Sequence, residues 1–187
     1  MPRTKESGML HTYHCIATGI GSLPVTDPDE AAALSLRYLA EAPIWPQLPQ
    51  RGFREHMVAQ YSEALPGLQF DAAGERLFFD TTRDLTPDLE RFFERYLEKD
   101  YGYFKLSEEY AAGFYGLLRA LRTGVPASLQ FLKGHVTGPL TAGISFKDET
   151  GKDIVHNDLL YDAVVKGLAM KAAWQIQELK QFGKPVI

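Results

Sequence analysis

Three short segments of this chain set reactive or hydrogen-bonding side chains beside turn-forming residues. The first is Ile20-Gly21-Ser22-Leu23-Pro24, the second Trp45-Pro46-Gln47-Leu48-Pro49, and the third His135-Val136-Thr137-Gly138-Pro139-Leu140-Thr141. A glycine at position 21 lets the backbone N–H groups of Gly21 and Ser22 approach a ligand closely. Gln47 offers an amide beside the apolar face of Trp45. His135 offers an acid, a base or a ligand, followed by the Thr137 hydroxyl and a backbone wall at Gly138. Each segment also has a plain structural reading: a tight turn after a strand, a core tryptophan, and a histidine packed in a loop. The first segment begins like a dinucleotide-binding fingerprint but carries Pro24 where the third glycine belongs. His14 and Cys15 are adjacent, and neighbouring strand residues point to opposite faces, so they are badly placed to share a metal ion. Cys15 is the single cysteine, so no second thiolate completes a zinc set. No metal ligands are therefore assigned in this chain.

The composition narrows the function classes. Of 187 residues, 45% are hydrophobic and 24% charged, with a net charge of −4 mixed along the chain, which leaves no basic footprint for nucleic acid. No segment approaches the roughly 18–20 apolar residues of a membrane span. Eleven Phe, nine Tyr and two Trp call for a well-filled interior or an aromatic-lined cleft. Residues 1–13 are polar and are expected to be a flexible N-terminus, with residues 14–187 forming the folded unit. The lone cysteine and the lack of an apolar run behind Met1 point to a cytoplasmic protein without a secretory signal.

Periodicity supplies the elements that must position the three segments. A buried strand is predicted over residues 14–22. A helix follows from an Asp27 cap and Pro28 to about Ala40, with Leu34, Tyr38 and Leu39 inward. A second strand is predicted over 44–49 and a helix over 53–65 through Met57, Tyr61 and Leu65. Residues 68–71 and 76–79 read as a hairpin around 72–75. Thr86-Pro87-Asp88 starts a helix carrying Leu89, Phe92, Phe93, Tyr96 and Leu97. Ser107 starts another carrying Phe114, Leu117, Leu118 and Leu121. A strand over 128–134, a small hairpin excursion over 146–156, and a long helix from Asn157 or Asp158 to about Gln181 complete the pattern. The long helix carries Leu160, Ala163, Val164, Leu168, Ala172, Ile176 and Leu179 on its apolar stripe. Gly183 ends it and Pro185-Val186-Ile187 opens a fourth strand. Alternating strands and helices predict a parallel α/β sheet with helical crossovers, whose sites lie at the C-terminal strand ends. The chain stops as a strand opens, so the N-terminal part of a larger fold is expected.

Three stretches, taken in order, carry a resemblance: Ile20-Gly21-Ser22-Leu23-Pro24, Met57-Val58 through Tyr61 to Gly67, and Lys133-Gly134-His135-Val136-Thr137-Gly138-Pro139-Leu140-Thr141. From about Cys15 to Ile187 the chain resembles the catalytic barrel of cobalamin-independent methionine synthase, in the superfamily that also holds uroporphyrinogen decarboxylase and corrinoid-dependent methyltransferases. The resemblance implies an α/β fold, the N-terminal portion of a (β/α)8 TIM barrel, about strands 1 to 4, with hairpin insertions. It implies that Ile20, Gly21 and Ser22 sit at the substrate, Ser22 holding a polar amino-acid-like group. With Gln47, His135, Thr137 and Gly138 from the other strand ends they make up the expected substrate-binding set; catalytic residues stay unassigned. It further implies a thiol substrate, a methyl donor that is corrinoid or folate-like, a corrinoid protein as a partner, and zinc held by ligands outside this chain, where the metal would lower the thiol pKa. Neither nucleic acid nor membrane is an expected partner.

Two positions depart from the pattern. Arg51, with Gln50 beside it, stands where those synthases carry a homocysteine-holding glutamate, and Ser145 stands where they set a tryptophan against folate. A different substrate pair is therefore expected. The rival readings are a non-catalytic half-barrel that binds a ligand or forms a homodimer through its open edge, and a decarboxylase-like barrel using Arg51 and Arg54.

Overall fold

The computed structural model describes residues 15–71 and 76–187. Four extended segments run parallel and pair in chain order. Residues 15–23 meet 42–48 through the parallel bridge Ser22–Gln47, and 42–48 meet β3 (Leu132–Lys133) through Ile44–Lys133. β3 then pairs with β5 (Pro185–Val186), in register Leu132–Pro185 and Lys133–Val186. The crossovers include α1 (Pro28–Tyr38), α3 (Ala112–Thr123) and α5 (Asp158–Leu179). Each segment lying beside its chain successor, with helical connections, is the arrangement expected of βα units. No barrel is closed among the described residues.

The predicted first strand is reduced to one bridge. Leu23 N donates to Gln47 O at 3.0 Å and Gln47 N to Gly21 O at 3.4 Å. Upstream, side chains replace the ladder: Thr18 Oγ1 donates to Ala42 O at 3.0 Å and Lys133 Nζ to Gly19 O at 3.1 Å. Residues 15–20 are exposed or half-buried, so no apolar packing enforces a regular strand there. His14 lies outside the described residues. The second segment is the reverse case, with Ala42, Ile44, Trp45 and Leu48 all buried.

α1 starts as its cap dictates: Asp27 Oδ1 accepts from Asp29 N and Glu30 N. Its inward face differs from the expectation. Ala31, Ala32 and Ser35 are buried, Leu34 and Leu39 half-buried, and Tyr38 is 67% exposed. The reason is close packing on α3, where a Cβ at Gly116 would stand 2.3 Å from Pro28 O. Ser35 Oγ also donates to Ile44 O at 2.6 Å and accepts from Ile44 N at 3.1 Å, which sets the rotation of the helix.

The helix expected over 53–65 is absent. Single 3₁₀ turns occupy Phe53–Glu55 and Ala59–Tyr61. Gly52 (φ 142°) and Ala64 (φ 64°) are in left-handed backbone, and His56 is extended. The buried polar groups Glu55, Gln60 and Ser62 also interrupt any apolar stripe. α3 begins at Ala112, later than Ser107, because Ser107 is drawn into a turn: its N–H donates to Glu63 Oε2 at 2.7 Å and its carbonyl accepts from Tyr110 N and Ala111 N. Its stripe Phe114, Leu117, Leu118 and Leu121 is buried as expected.

β1 (Leu68–Asp71) and β2 (Arg76–Phe79) form the expected antiparallel pair, from Leu68–Phe79 to Asp71–Arg76; the turn over 72–75 lies outside the described residues. After α4 (Pro139–Ser145), the short β4 (Lys147–Asp148) doubles back through a Lys147–Asp153 bridge and also adds parallel to β2. α2 (Thr86–Leu97) buries Phe92 and half-buries Leu89, Phe93 and Tyr96, whereas Leu97 is exposed. α5 is capped by Asn157 Oδ1, which accepts from Leu160 N, and ends at Leu179. Ile176 faces solvent, while Lys171, Trp174 and Gln175 are buried in its place. Trp45, Tyr61, Phe79, Phe92, Phe104, Phe114 and Phe146 are fully buried, so the aromatics fill the interior. Among the described residues no helix is long and apolar enough to cross a membrane.

A Cβ at Gly113 would stand 2.0 Å from Pro46 O, whereas one at Gly124 would meet nothing within 4 Å. Gly113→Ala is therefore expected to destabilise the chain by about 1–3 kcal/mol or more, as overpacking against backbone does. Gly124→Ala stays within about 0.5 kcal/mol of the parent. Paired urea melts measure both.

Candidate functional site

The C-terminal ends of the first three segments meet at a cavity of about 270 Å³. Ile20 and Gly21 come from the first segment, Gln47 from the second, and His135, Val136, Thr137 and Gly138 from the third; Met57, Tyr61 and Thr141 complete the lining. Six of the seven residues expected at the substrate are thus brought together. Ser22 is the exception. It is exposed and does not line the cavity, although its neighbours Ile20 and Gly21 both do. Gly21 itself has φ 105°, which a side chain would strain.

Most of the polar atoms are already committed. Gln47 Nε2 donates to Gln60 Oε1 at 2.6 Å, and Gln60 Nε2 to Tyr110 O at 2.7 Å. Thr137 Oγ1 donates to Met57 O at 2.6 Å. Gly138 is the N-cap of α4, its carbonyl accepting from Ala142 N at 3.0 Å.

The floor of the site is organised by a residue that sequence reasoning missed. Gln175 of α5 is fully buried; its Oε1 accepts from Trp45 Nε1 at 2.8 Å and from His135 N at 3.2 Å, while its Nε2 donates to His135 O at 2.9 Å. Tyr61 Oη donates to the same carbonyl at 2.8 Å. The available signal was a polar residue four positions after Lys171, at helical spacing on an otherwise apolar stripe. Lys171 is also buried and donates to Glu63 O at 2.5 Å; burial lowers its pKa to about 8.

Trp45 is core, and its indole stacks on His135 with ring centroids 3.8 Å apart and planes 19° off parallel. His135 is only 7% exposed, and both ring nitrogens are buried without a hydrogen-bond partner. Burial, and then the nearby Lys133 ammonium, lower its pKa to about 4. The ring is therefore neutral at pH 7, offering one donor and one acceptor.

One further cavity adjoins this one, and another adjoins that in turn through Phe53. The larger, about 520 Å³, shares Met57 and includes His56, Arg76, Leu77, Ser145 and Lys147. The other, about 280 Å³, includes Arg51, Arg54, Glu55 and Glu109. There Arg51 Nε pairs with Glu55 Oε1 at 2.7 Å and Arg54 pairs with Glu109. Burial raises the Glu55 pKa against the opposing pull of Arg51. Among the described residues no group of three or more His, Cys, Asp or Glu side chains could hold a metal ion, and Cys15 is exposed. The described residues do not form a zinc centre. The cavity can bind and orient a ligand; no nucleophile there is paired with a base. Comparison with protein families, curated proteins and solved structures returns no match.

Two predictions follow from this geometry. Because His135 titrates near 4 when folded and its unfolded counterpart near 6.5, the unfolded chain binds more protons between those values. Its contribution to stability is full above about pH 6.5 and is lost as pH falls toward 4, by up to about 3 kcal/mol. Denaturant melts from pH 7 to pH 4 should show that slope, and His135→Leu should flatten it. Gln175→Leu strands Trp45 Nε1 and His135 N, each costing about 1–3 kcal/mol. Equilibrium unfolding at pH 7 should register the loss.

Proposed function

We propose that this chain forms the substrate-holding wall of a barrel of the cobalamin-independent methionine synthase kind, and that the complete site transfers a methyl group to a thiol. The observation that carries the reading is the meeting of Gly21, Gln47, His135 and Gly138 at one cavity, at the ends of parallel segments that pair in chain order. That is where βα barrels and related sheets bind their ligands. In this reading the chain's own residues bind and orient the thiol, exclude water from it, and leave thiol activation by zinc to ligands elsewhere. The methyl donor would be a corrinoid or folate-like. A cytoplasmic setting belongs to the same proposal, in keeping with a single exposed cysteine.

A second reading, a ligand-binding or self-associating module without catalysis, is favoured by the lack of a metal-holding cluster among the described residues. A decarboxylase-like role ranks below both, since Arg51 and Arg54 are ion-paired in a different cavity.

Isotope-labelled chain titrated with a small alkyl thiol should show its largest amide shifts at Gly21, Gln47, His135 and Gly138; shifts centred elsewhere would contradict the proposal. The two leading readings separate once the chain is combined with the segment or partner that supplies the zinc ligands and incubated with methylcobalamin or a methylated folate, zinc and the thiol. Thioether above the protein-free background, detected by mass spectrometry, supports methyl transfer, and thiol binding by the completed site without thioether supports the module.

A further inference from the structure

Gln47, Tyr61, His135 and Thr137 are the polar side chains deepest in the strand-end cavity, and none of its lining residues is Asp, Glu, Lys or Arg. The charged groups nearby are engaged outside it. Lys133 Nζ is held by Gly19 O at 3.1 Å. Arg76, Lys147 and His56 belong to the larger neighbouring cavity, and Arg51, Arg54, Glu55 and Glu109 to the third. Within the cavity wall the polar group left without a partner is the His135 imidazole, 93% buried by the complement of its 7% exposure, with neither ring nitrogen hydrogen-bonded. A neutral imidazole asks for one acceptor and one donor. Both nitrogens are closed off even from a water molecule, so the ring lines the cavity as an uncharged group and not as a hydrogen-bonding partner.

We infer that this cavity selects an uncharged ligand, an alcohol, amide or neutral thiol or thioether, and discriminates against carboxylates, ammonium groups and amino-acid zwitterions. The inference rests on the reading of this cavity as the substrate pocket and deepens it by naming the substrate class. A charged end group entering here would shed its water and meet no counter-charge in the wall, which is the costly way to bury an ion. An uncharged polar end gives up far less on losing its water. The amino-acid-like head group implied by the sequence resemblance is therefore a poor occupant. The Arg51 departure fits this: its guanidinium is committed to Glu55 and to Thr26 O rather than to the cavity.

Two matched series test the inference, each followed by amide shifts of the labelled chain at pH 7: methionol, methylthiopropionate and methylthiopropylamine, then pentanol, pentanoate and pentylamine. Within each series the alcohol should bind at Gly21, Gln47, His135 and Gly138 roughly tenfold or more tightly than either charged relative. Thr141→Lys, a change at an exposed lining position, should raise pentanoate affinity above that of the parent chain. Equal or tighter binding of a charged member, binding of the alcohols away from these residues, or no binding by any of the six compounds overturns the inference. The sulfur series binding no better than the pentyl series counts against the thiol reading alone and leaves the charge rule standing.

Discussion

The amide of Gln175 is the contact on which the strand ends depend. A fully buried amide must find partners or carry a desolvation penalty. This one finds three, on Trp45 Nε1 and on both backbone polar groups of His135. It thereby fastens α5 to the second and third parallel segments at the level where they open into the cavity. The segments are otherwise joined sparingly, by the bridges Ser22–Gln47 and Ile44–Lys133 and a two-residue pairing of β3 with β5. The stacked Trp45 and His135 rings sit directly on this anchor. The position of His135 is thus set by hydrogen bonds to its backbone, and its ring nitrogens are left over.

Much of the fold could be read from local signals. The Asp27 cap, the hairpin of β1 and β2, the stripe of α3 and the start of α5 all appear where capping chemistry and periodicity put them. The misses share a cause: tertiary partners overrode the local pattern. Met57, Tyr61 and Leu65 have helical spacing, yet Glu55, Gln60 and Ser62 between them are buried and polar. Periodicity places Tyr38 inward, but the close approach of Gly116 to Pro28 leaves room only for Ala31, Ala32 and Ser35. Ile176 gave way to Trp174 and Gln175 because the core wanted an indole and an amide on that face.

The site was legible to the extent that topology determines it. The rule that ligands sit at C-terminal strand ends brought Ile20, Gly21, Gln47, His135, Thr137 and Gly138 to one cavity without any side-chain knowledge. It could not foresee that Ser22 would stay exposed outside the lining. Nor could it foresee that Thr137 and Gln47 would spend their donors on Met57 and Gln60. What remains is a cavity whose character is set by an absence of charge in its wall and by one buried imidazole. Ser145, where the resemblance sets a folate-facing tryptophan, opens on the larger neighbouring cavity, which shares Met57 with the first.

The central claim is that His135 is held neutral against Trp45 at the meeting point of the three strand ends. The most direct measurement follows the carbon-bound ring protons of His135 by NMR as pH is lowered from 8 to 3.5. The account predicts a titration midpoint near 4 and ring protons displaced by the indole ring current throughout the native range. A midpoint near 6.5, with ring shifts of a solvated histidine, would contradict it.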